Sequence, residues 1–255
     1  MPTVNEIRNR CLAWAQPDWK EEWDNVGLLC GSAGAEVSKL LVALDVTMAV
    51  AKEAAEWGAE LIVSHHPLLF STSNLSDETP EGALLLYLAR HRIAVVSLHT
   101  NLDGAPGGVN DVLAQRLGLQ DISTFDGGDH GIGRIGTAPE QELEAFVRFV
   151  KERLGAGGVR YAPGGRPVRR VAVGGGSCMD FLPQAIAAGC DTFVTGDIKY
   201  HQFQQAAKLG VNLIDAGHFP TEDPVCEVLC GCLRGQFPEI EVKKSGIHGD
   251  CVKFA

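Results

Sequence analysis

No apolar run in this sequence is long enough to cross a bilayer; the longest, such as Leu40–Leu44, are the length of a strand. The segment Met1–Arg10 is polar and holds no hydrophobic core, so no export signal is read and a cytoplasmic protein is expected. Positive charge is short as well. Lys and Arg number 22 against 32 Asp and Glu, a formal net charge of -10. That argues against a nucleic-acid partner, which needs a basic face to displace counterions. Phosphate-binding fingerprints are missing too. Gly174-Gly175-Gly176-Ser177 lacks the Gly-Lys-Ser/Thr ending of a P-loop and reads first as a tight strand-to-helix turn, and only second as a phosphate cradle. Without an export signal, the eight cysteines are expected to be reduced thiols. Cys226, Cys230 and Cys232 fall in a helical stretch where Cys232 points away from the other two, so apolar packing is read ahead of a zinc cluster.

What is present is a globule of ordinary composition, 45% hydrophobic and 21% charged over 255 residues. Its acid excess can hold divalent cations wherever carboxylates converge. The same rhythm of elements runs twice. Strand-like runs at Lys39–Leu44, Leu61–Val63 and Ile93–Leu98 alternate with helical stretches at Met48–Trp57, Pro80–Arg90 and Gly108–Leu117. Arg170–Val173, Thr192–Val194 and Val211–Ile214 alternate in turn with helices near Met179–Ala188, Tyr200–Leu209 and Glu222–Leu233. This predicts an α/β protein of two pseudo-repeated lobes with mostly parallel sheets; if the lobes face each other, the loops that follow their strands converge on one cleft, the place for a metal site. The expected division is an N-terminal lobe over residues 1–122, a connector over 123–168 and a C-terminal lobe over 169–255. The connector is loosened by Gly127, Gly128, Gly131 and Gly133 and carries an amphipathic helix at Pro139–Leu154.

Chemistry sits at matching places in the two halves. Ser64-His65-His66-Pro67 and Gly196-Asp197-Ile198-Lys199-Tyr200-His201 follow the second strand of each half. His99 to Asp103 and His218 to Glu222 follow the third, each with a histidine four residues before a carboxylate. Loops at the carboxyl ends of parallel strands are where open α/β sheets bind ligands. Imidazole and carboxylate together suit zinc, manganese, iron or similar divalent ions. Adjacent His65 and His66 can address two ions, and Glu222, read at the start of a helix, can bridge them. A lone histidine after a strand is usually a surface or core residue; three such loops are not readily assigned to chance. Asp45 is read as a helix cap or as a group orienting a ligand histidine.

Five ordered motifs resemble the Nif-three-like dinuclear-metal family, whose members are commonly called GTP cyclohydrolase 1 type 2 homologues. They are Asp24-Asn25-Val26-Gly27-Leu28, Ser64-His65-His66-Pro67-Leu68, His99-Thr100-Asn101-Leu102-Asp103, Thr195 to His201, and Asp215 to Glu222. The resemblance implies that His65, His66, Asp103, His218 and Glu222 hold two divalent metal cations per chain, with Glu222 touching both. It also implies a toroidal homohexamer. A metal-dependent hydrolase acting on a small molecule is then the expected function, with the guanine imidazole ring of GTP as the candidate substrate. His99 and His201 would transfer protons, and Lys199 would meet a triphosphate as a point charge. The alternatives are a non-catalytic metal-binding or scaffold protein and a phosphoesterase on another nucleotide.

Overall fold

The computed structural model describes residues 1–70 and 75–255. They form two compact units, Met1–Leu102 with Val225–Gly249, and Asp103–Pro224 with Asp250–Ala255. Among the described residues no helix is long and apolar enough to cross a membrane.

In the first unit, α1 (Val4–Trp14) starts on a reciprocal cap. The Thr3 hydroxyl accepts from the Glu6 N–H at 3.3 Å while the Glu6 carboxylate accepts from the Thr3 N–H at 2.7 Å. The chain continues through β1 (Gly27–Cys30), β2 (Lys39–Ala43), α2 (Met48–Trp57), β3 (Leu61–Ser64), α3 (Pro80–Arg90) and β4 (Ala94–Ser97). Thr47 and Thr79 cap α2 and α3, and Gly58, in the left-handed region, ends α2. Strands β2, β3 and β4 pair in parallel, with Leu40 opposite Leu61 and Leu61 opposite Ala94, and β1 adds antiparallel to β4. Every residue of β3 and β4 is buried, which is why both read as apolar runs up to the serine that ends each. Leu41, Ile62, Val95, Val50, Ala54 and Leu88 form the core beneath α2 and α3.

The division between the units falls within α4 (Thr100–Gly104). The second unit then runs through α5 (Val109–Arg116), β5 (Gln120–Ser123), β6 (Arg134–Gln141), α6 (Leu143–Leu154), β7 (Arg160–Ala162) and β8 (Val168–Val173). It is completed by α7 (Leu182–Ala187), β9 (Thr192–Thr195), α8 (Tyr200–Lys208), β10 (Asn212–Asp215) and α9 (His218–Glu222). The chain returns to the first unit with α10 (Pro224–Gln236) and β11 (Glu241–Lys244), which pairs in parallel with β2.

Strands β8, β9 and β10 are parallel, as expected. The segment read as connector is built into the same sheet: β6 pairs antiparallel with β8, and β7 antiparallel with β10. The second sheet, ordered β5-β6-β8-β9-β10-β7, is therefore mixed. Strand β6 hides from a sequence reading because it carries Gly136 and Pro139 and ends on Glu140 and Gln141. The amphipathic helix expected from Pro139 starts only at Leu143, since those strand residues precede it. Phe146, Val147 and Val150 of α6 pack with Val171, Val173 and Ile214 in one core, and Phe193 and Leu213 lie in a second. All eight cysteines are free thiols; Cys226 and Cys230 are buried on α10 and Cys232 is half-buried. Burial pushes the Cys230 thiol up to about 11.

Candidate metal centre

In the first unit the histidine pair begins where β3 ends. The His65 N–H donates to the Ala43 carbonyl at 3.3 Å and the His66 N–H to the Leu44 carbonyl at 2.9 Å. Ser64 and Ser97, the last residues of β3 and β4, hydrogen-bond through their hydroxyls at 2.8 Å, locking the two strand ends together. His99 follows β4 by two residues. The side-chain nitrogens of His65, His66 and His99 come within 4.8 Å of one another, a cluster that could hold a metal.

Each of these rings is tied through Nδ1 to an oxygen that can only accept. His65 Nδ1 lies 2.8 Å from the Leu98 carbonyl, His66 Nδ1 2.6 Å from Asp45 Oδ1, and His99 Nδ1 2.9 Å from Asp24 Oδ1. A ring that donates from Nδ1 carries its lone pair on Nε2 when neutral. That is the arrangement in which carboxylates and carbonyls orient metal-binding histidines. Asp45 thus holds His66, and the cap of α2 belongs to Thr47, which decides between the two roles open for Asp45.

Asp24 is the most elaborated of the orienting groups. Its buried carboxylate accepts from His99 Nδ1, from the Thr100 N–H at 3.0 Å, from the Thr100 hydroxyl and from the Asn25 N–H at 2.7 Å. Burial pushes its pKa up, but the hydrogen bonds from His99 and Thr100 outweigh it and hold the carboxyl at about 2. The unfolded chain therefore takes up this proton first as pH falls, so the stabilisation is complete above about pH 4 and drains away toward pH 2. Asp24→Asn is expected to flatten the dependence of the urea midpoint on pH across that window. An unchanged slope would remove Asp24 from the acid response.

In the second unit the same logic recurs with different partners. His218 and Glu222 are the first and last residues of α9, one helical turn apart, with Nε2 and Oε2 3.1 Å from each other. Glu222 closes this short helix instead of opening the long one that follows. His218 Nδ1 is 2.7 Å from Asp197 Oδ2. Asp197 adopts a left-handed backbone (φ 54) directly after Gly196, which turns its carboxylate toward the histidine. Asp215, at the end of β10, fixes both loops: its carboxylate accepts from the Ile198 N–H at 3.2 Å and the Gly217 N–H at 3.1 Å.

The glycine turn after β8 belongs to this cluster. A Cβ on Gly176 would lie 2.1 Å from Glu222 Oε1 and 3.0 Å from His218 Nε2. The bare backbone therefore forms the wall against which the two side chains rest, a purpose different from a phosphate cradle. Asp103, on α4, is buried, and its carbonyl accepts from Asn110 Nδ2 at 3.0 Å. The Asn110 Oδ1 accepts from the Gly175 N–H at 2.8 Å, and the Gly176 N–H donates to the Thr221 hydroxyl at 3.0 Å. One fully buried asparagine thus links the backbone of Asp103 to the turn that backs Glu222. Asp103 and Glu222 also lie close enough to the buried Cys178 that, after burial itself, their charges push its thiol well above the usual range.

His201 occupies the first turn of α8 and is exposed; among the described residues no cluster able to hold a metal contains it. From the same motif it is Asp197 that engages a histidine. Asp24, Asp197 and Asn110 are the functional candidates that reading the sequence for chemistry passed over. Asp24 and Asp197 stood inside two of the five motifs, whereas Asn110 had no local signal.

The donor set suits divalent first-row ions. Imidazoles tethered through Nδ1 and buried carboxylates are the groups such an ion takes. The fold and these histidine and carboxylate clusters define a mixed α/β protein with a candidate metal centre. Residues 2–250 match the family model Duf34/NIF3 (NGG1p interacting factor 3). A GTP cyclohydrolase 1 type 2 homolog of Clostridium perfringens is 38% identical over 230 residues, covering 87% of each chain. One from Streptomyces coelicolor is 37% identical over 243 residues, covering 89% of this chain and 84% of its own. The crystal structure of a Staphylococcus aureus hypothetical protein superposes with a TM-score of 0.93 at 30% identity over 99% of both chains. A Bacillus cereus protein related to NIF3 shares the fold, with a TM-score of 0.95 at 24% identity over 100% of this chain and 99% of its own. The chain belongs to the DUF34/NIF3 family.

Proposed function

We propose that this protein is a dinuclear metal-dependent hydrolase in which His65, His66, Asp103, His218 and Glu222 hold two divalent cations, with Glu222 reaching both. The observation that carries the proposal is the uniform tethering of His65, His66 and His218 through Nδ1, which presents Nε2 of each ring for coordination. Bound ions of this kind supply Lewis acidity and make a water acidic near neutral pH. Five protein ligands shared by two ions leave positions for water and substrate, which separates a catalytic centre from a filled structural one.

The reaction we favour is hydrolytic opening of the guanine imidazole ring of GTP, in keeping with the names of the curated relatives. Water adds at C8, a ring C–N bond breaks, and the departing nitrogen takes a proton. His99 is our candidate to carry that proton: Nε2 would accept it from the water, and the Asp24 carboxylate, 2.9 Å from Nδ1, would stabilise the imidazolium that results. His201, exposed on α8, is the second candidate for proton transfer, and Lys199, exposed just before it, for meeting the phosphates. Assembly as a closed homohexamer is part of the same proposal.

Purified protein should carry close to two divalent ions per chain, and His66→Ala and Glu222→Ala should each lose metal. Full occupancy in both variants, by elemental analysis, would sink the ligand assignment. His99→Ala should keep its metal and lose on the order of a hundredfold or more of GTP turnover. A variant that loses metal as completely as His66→Ala makes His99 a ligand. A nucleotide and phosphoester panel on metal-loaded protein tests the substrate, and light scattering that reports a monomer would remove the hexamer.

A further inference from the structure

Two of the largest exposed apolar side chains stand beside the histidine cluster. Trp23 is 62% exposed and Phe70 58% exposed, a costly placement for two aromatic rings left idle in water. Their ring centroids are 6.1 Å apart and tilted by 35°, and each lies 5.8 Å from the His99 ring, which it meets nearly edge-on. His99 in turn lies 5.2 Å from His65 and 5.7 Å from His66, centroid to centroid. Trp23 and Phe70 stand too close together to clamp a flat ring between them. They form a wall, with His99 at its inner edge.

The wall is built, not incidental. Its two halves come from loops pinned to each other, because Asn25 Nδ2 donates to the Leu69 carbonyl at 2.8 Å. Trp23 is followed directly by Asp24, whose carboxylate grips His99 and Thr100. The turn is held at further points: the Glu21 N–H donates to the Thr100 hydroxyl at 2.9 Å, the Asp24 N–H to the Glu21 carbonyl at 3.0 Å, and Lys20 Nζ to the Asp24 carbonyl at 2.7 Å. Phe70 stands four residues beyond His66 on the loop that presents the histidine pair. Three consecutive residues thus divide the labour: Trp23 offers a face, Asp24 aims a histidine, and Asn25 fixes the opposite loop.

We infer that Trp23 and Phe70 are the substrate-positioning residues of this site, stacking the flat face of an unsaturated heterocycle and delivering its edge to His99. The inference rests on the reading of the histidine cluster as the reaction centre, and it assigns a site for a planar ring that the metal ligands do not provide. Stacking is tolerant of ring identity, since every heteroaromatic has a π-face, so the wall selects for flatness and area over hydrogen-bonding pattern. Preorganised rings lose little freedom on binding, which keeps their contribution large.

The test is equilibrium binding of guanosine, cytidine and ribose 5-phosphate, measured by calorimetry on metal-loaded and on chelator-treated protein. Expected is binding of the two nucleosides, guanosine the tighter, with ribose 5-phosphate far weaker. Trp23→Ala and Phe70→Ala should each weaken guanosine on the order of ten- to a hundredfold, while Phe70→Trp retains it and metal content stays at the wild-type level. Nucleoside binding that survives chelation, in protein found to bind no metal when reloaded, would keep the wall and sink the metal centre. Unchanged guanosine affinity in both alanine variants, or ribose 5-phosphate binding as tightly as guanosine, would overturn the wall. So would variants whose oligomeric state changes by light scattering while guanosine affinity does not, since the rings would then be a contact between copies of this chain.

Discussion

Gly176→Ala is expected to weaken metal binding on the order of ten- to a hundredfold, a loss comparable to removing a group that orients a ligand. The methyl group would have to occupy a point 2.1 Å from Glu222 Oε1 and 3.0 Å from His218 Nε2. Glu222 is buried at 3% exposure, so its carboxylate has little room to retreat, and any retreat moves a group proposed to reach both ions. The backbone adds a separate penalty. Gly176 sits at φ +65, where an L side chain costs about 1–2 kcal/mol. Gly155 separates the two effects, because it sits at φ +62 and a methyl group there would meet nothing within 4 Å. Gly155→Ala should lose a similar amount of stability and keep metal affinity. Competition titration against a chromophoric chelator reads the difference directly. Equal affinities in the two variants would mean that Glu222 and His218 do not depend on the bare wall of the glycine turn.

The same turn shows where a sequence stops being readable. Its glycines could be seen, but what they made room for could not, because Glu222 lies far along the chain. Other parts were legible for clear reasons. Helices α2 and α3 match their expected bounds, Met48–Trp57 and Pro80–Arg90, since Thr47, Thr79, Pro80 and Gly58 mark the ends chemically. The parallel strands were legible because burial leaves each with a short, mostly apolar run, polar residues such as Ser64 and Ser97 falling at the ends. Strand β6 lacks that signature, and its place beside β8 is decided by pairing that no local window contains. The histidines and carboxylates stood out by type and by their position after strands. Of their orienting partners only Asp45 could be named, and then beside a cap role: Asp24 reaches His99 across 75 residues of sequence, and Asn110 reaches Gly175 across 65. An aspartate in a turn and an asparagine in a helix have ordinary local explanations, and only the fold gives them another.

Arg134→Met is expected to destabilise the protein by about 3–5 kcal/mol, the range for breaking one half of a buried ion pair. Arg134 is 3% exposed and engages Asp111 with both arms of its guanidinium, Nε to Oδ1 at 2.7 Å and Nη2 to Oδ2 at 3.0 Å. Its remaining protons go to four carbonyls: Gly131 at 2.6 Å, Gly133 at 2.9 Å, Ala105 at 3.2 Å and Gly104 at 3.3 Å. Methionine fills much of the volume but removes the cation from Asp111, which keeps only the Gly107 N–H at 2.7 Å, and strips these carbonyls of the guanidinium. For a chain of this size the loss corresponds to a fall in Tm of roughly 6–20 °C. Lysine should rescue only part of it, because a point charge cannot reproduce the planar fork. The pair Arg134→Met and Asp111→Leu should cost less than the sum of the single changes, since the second removes the charge that the first strands. Gly104 follows Asp103 directly, so loosening this clamp also frees the backbone of a proposed ligand. Metal affinity of Arg134→Met should therefore fall even under conditions where the variant is fully folded. Additive single and double changes, with a loss below about 1 kcal/mol for Arg134→Met, would reduce the cluster to an ordinary surface contact.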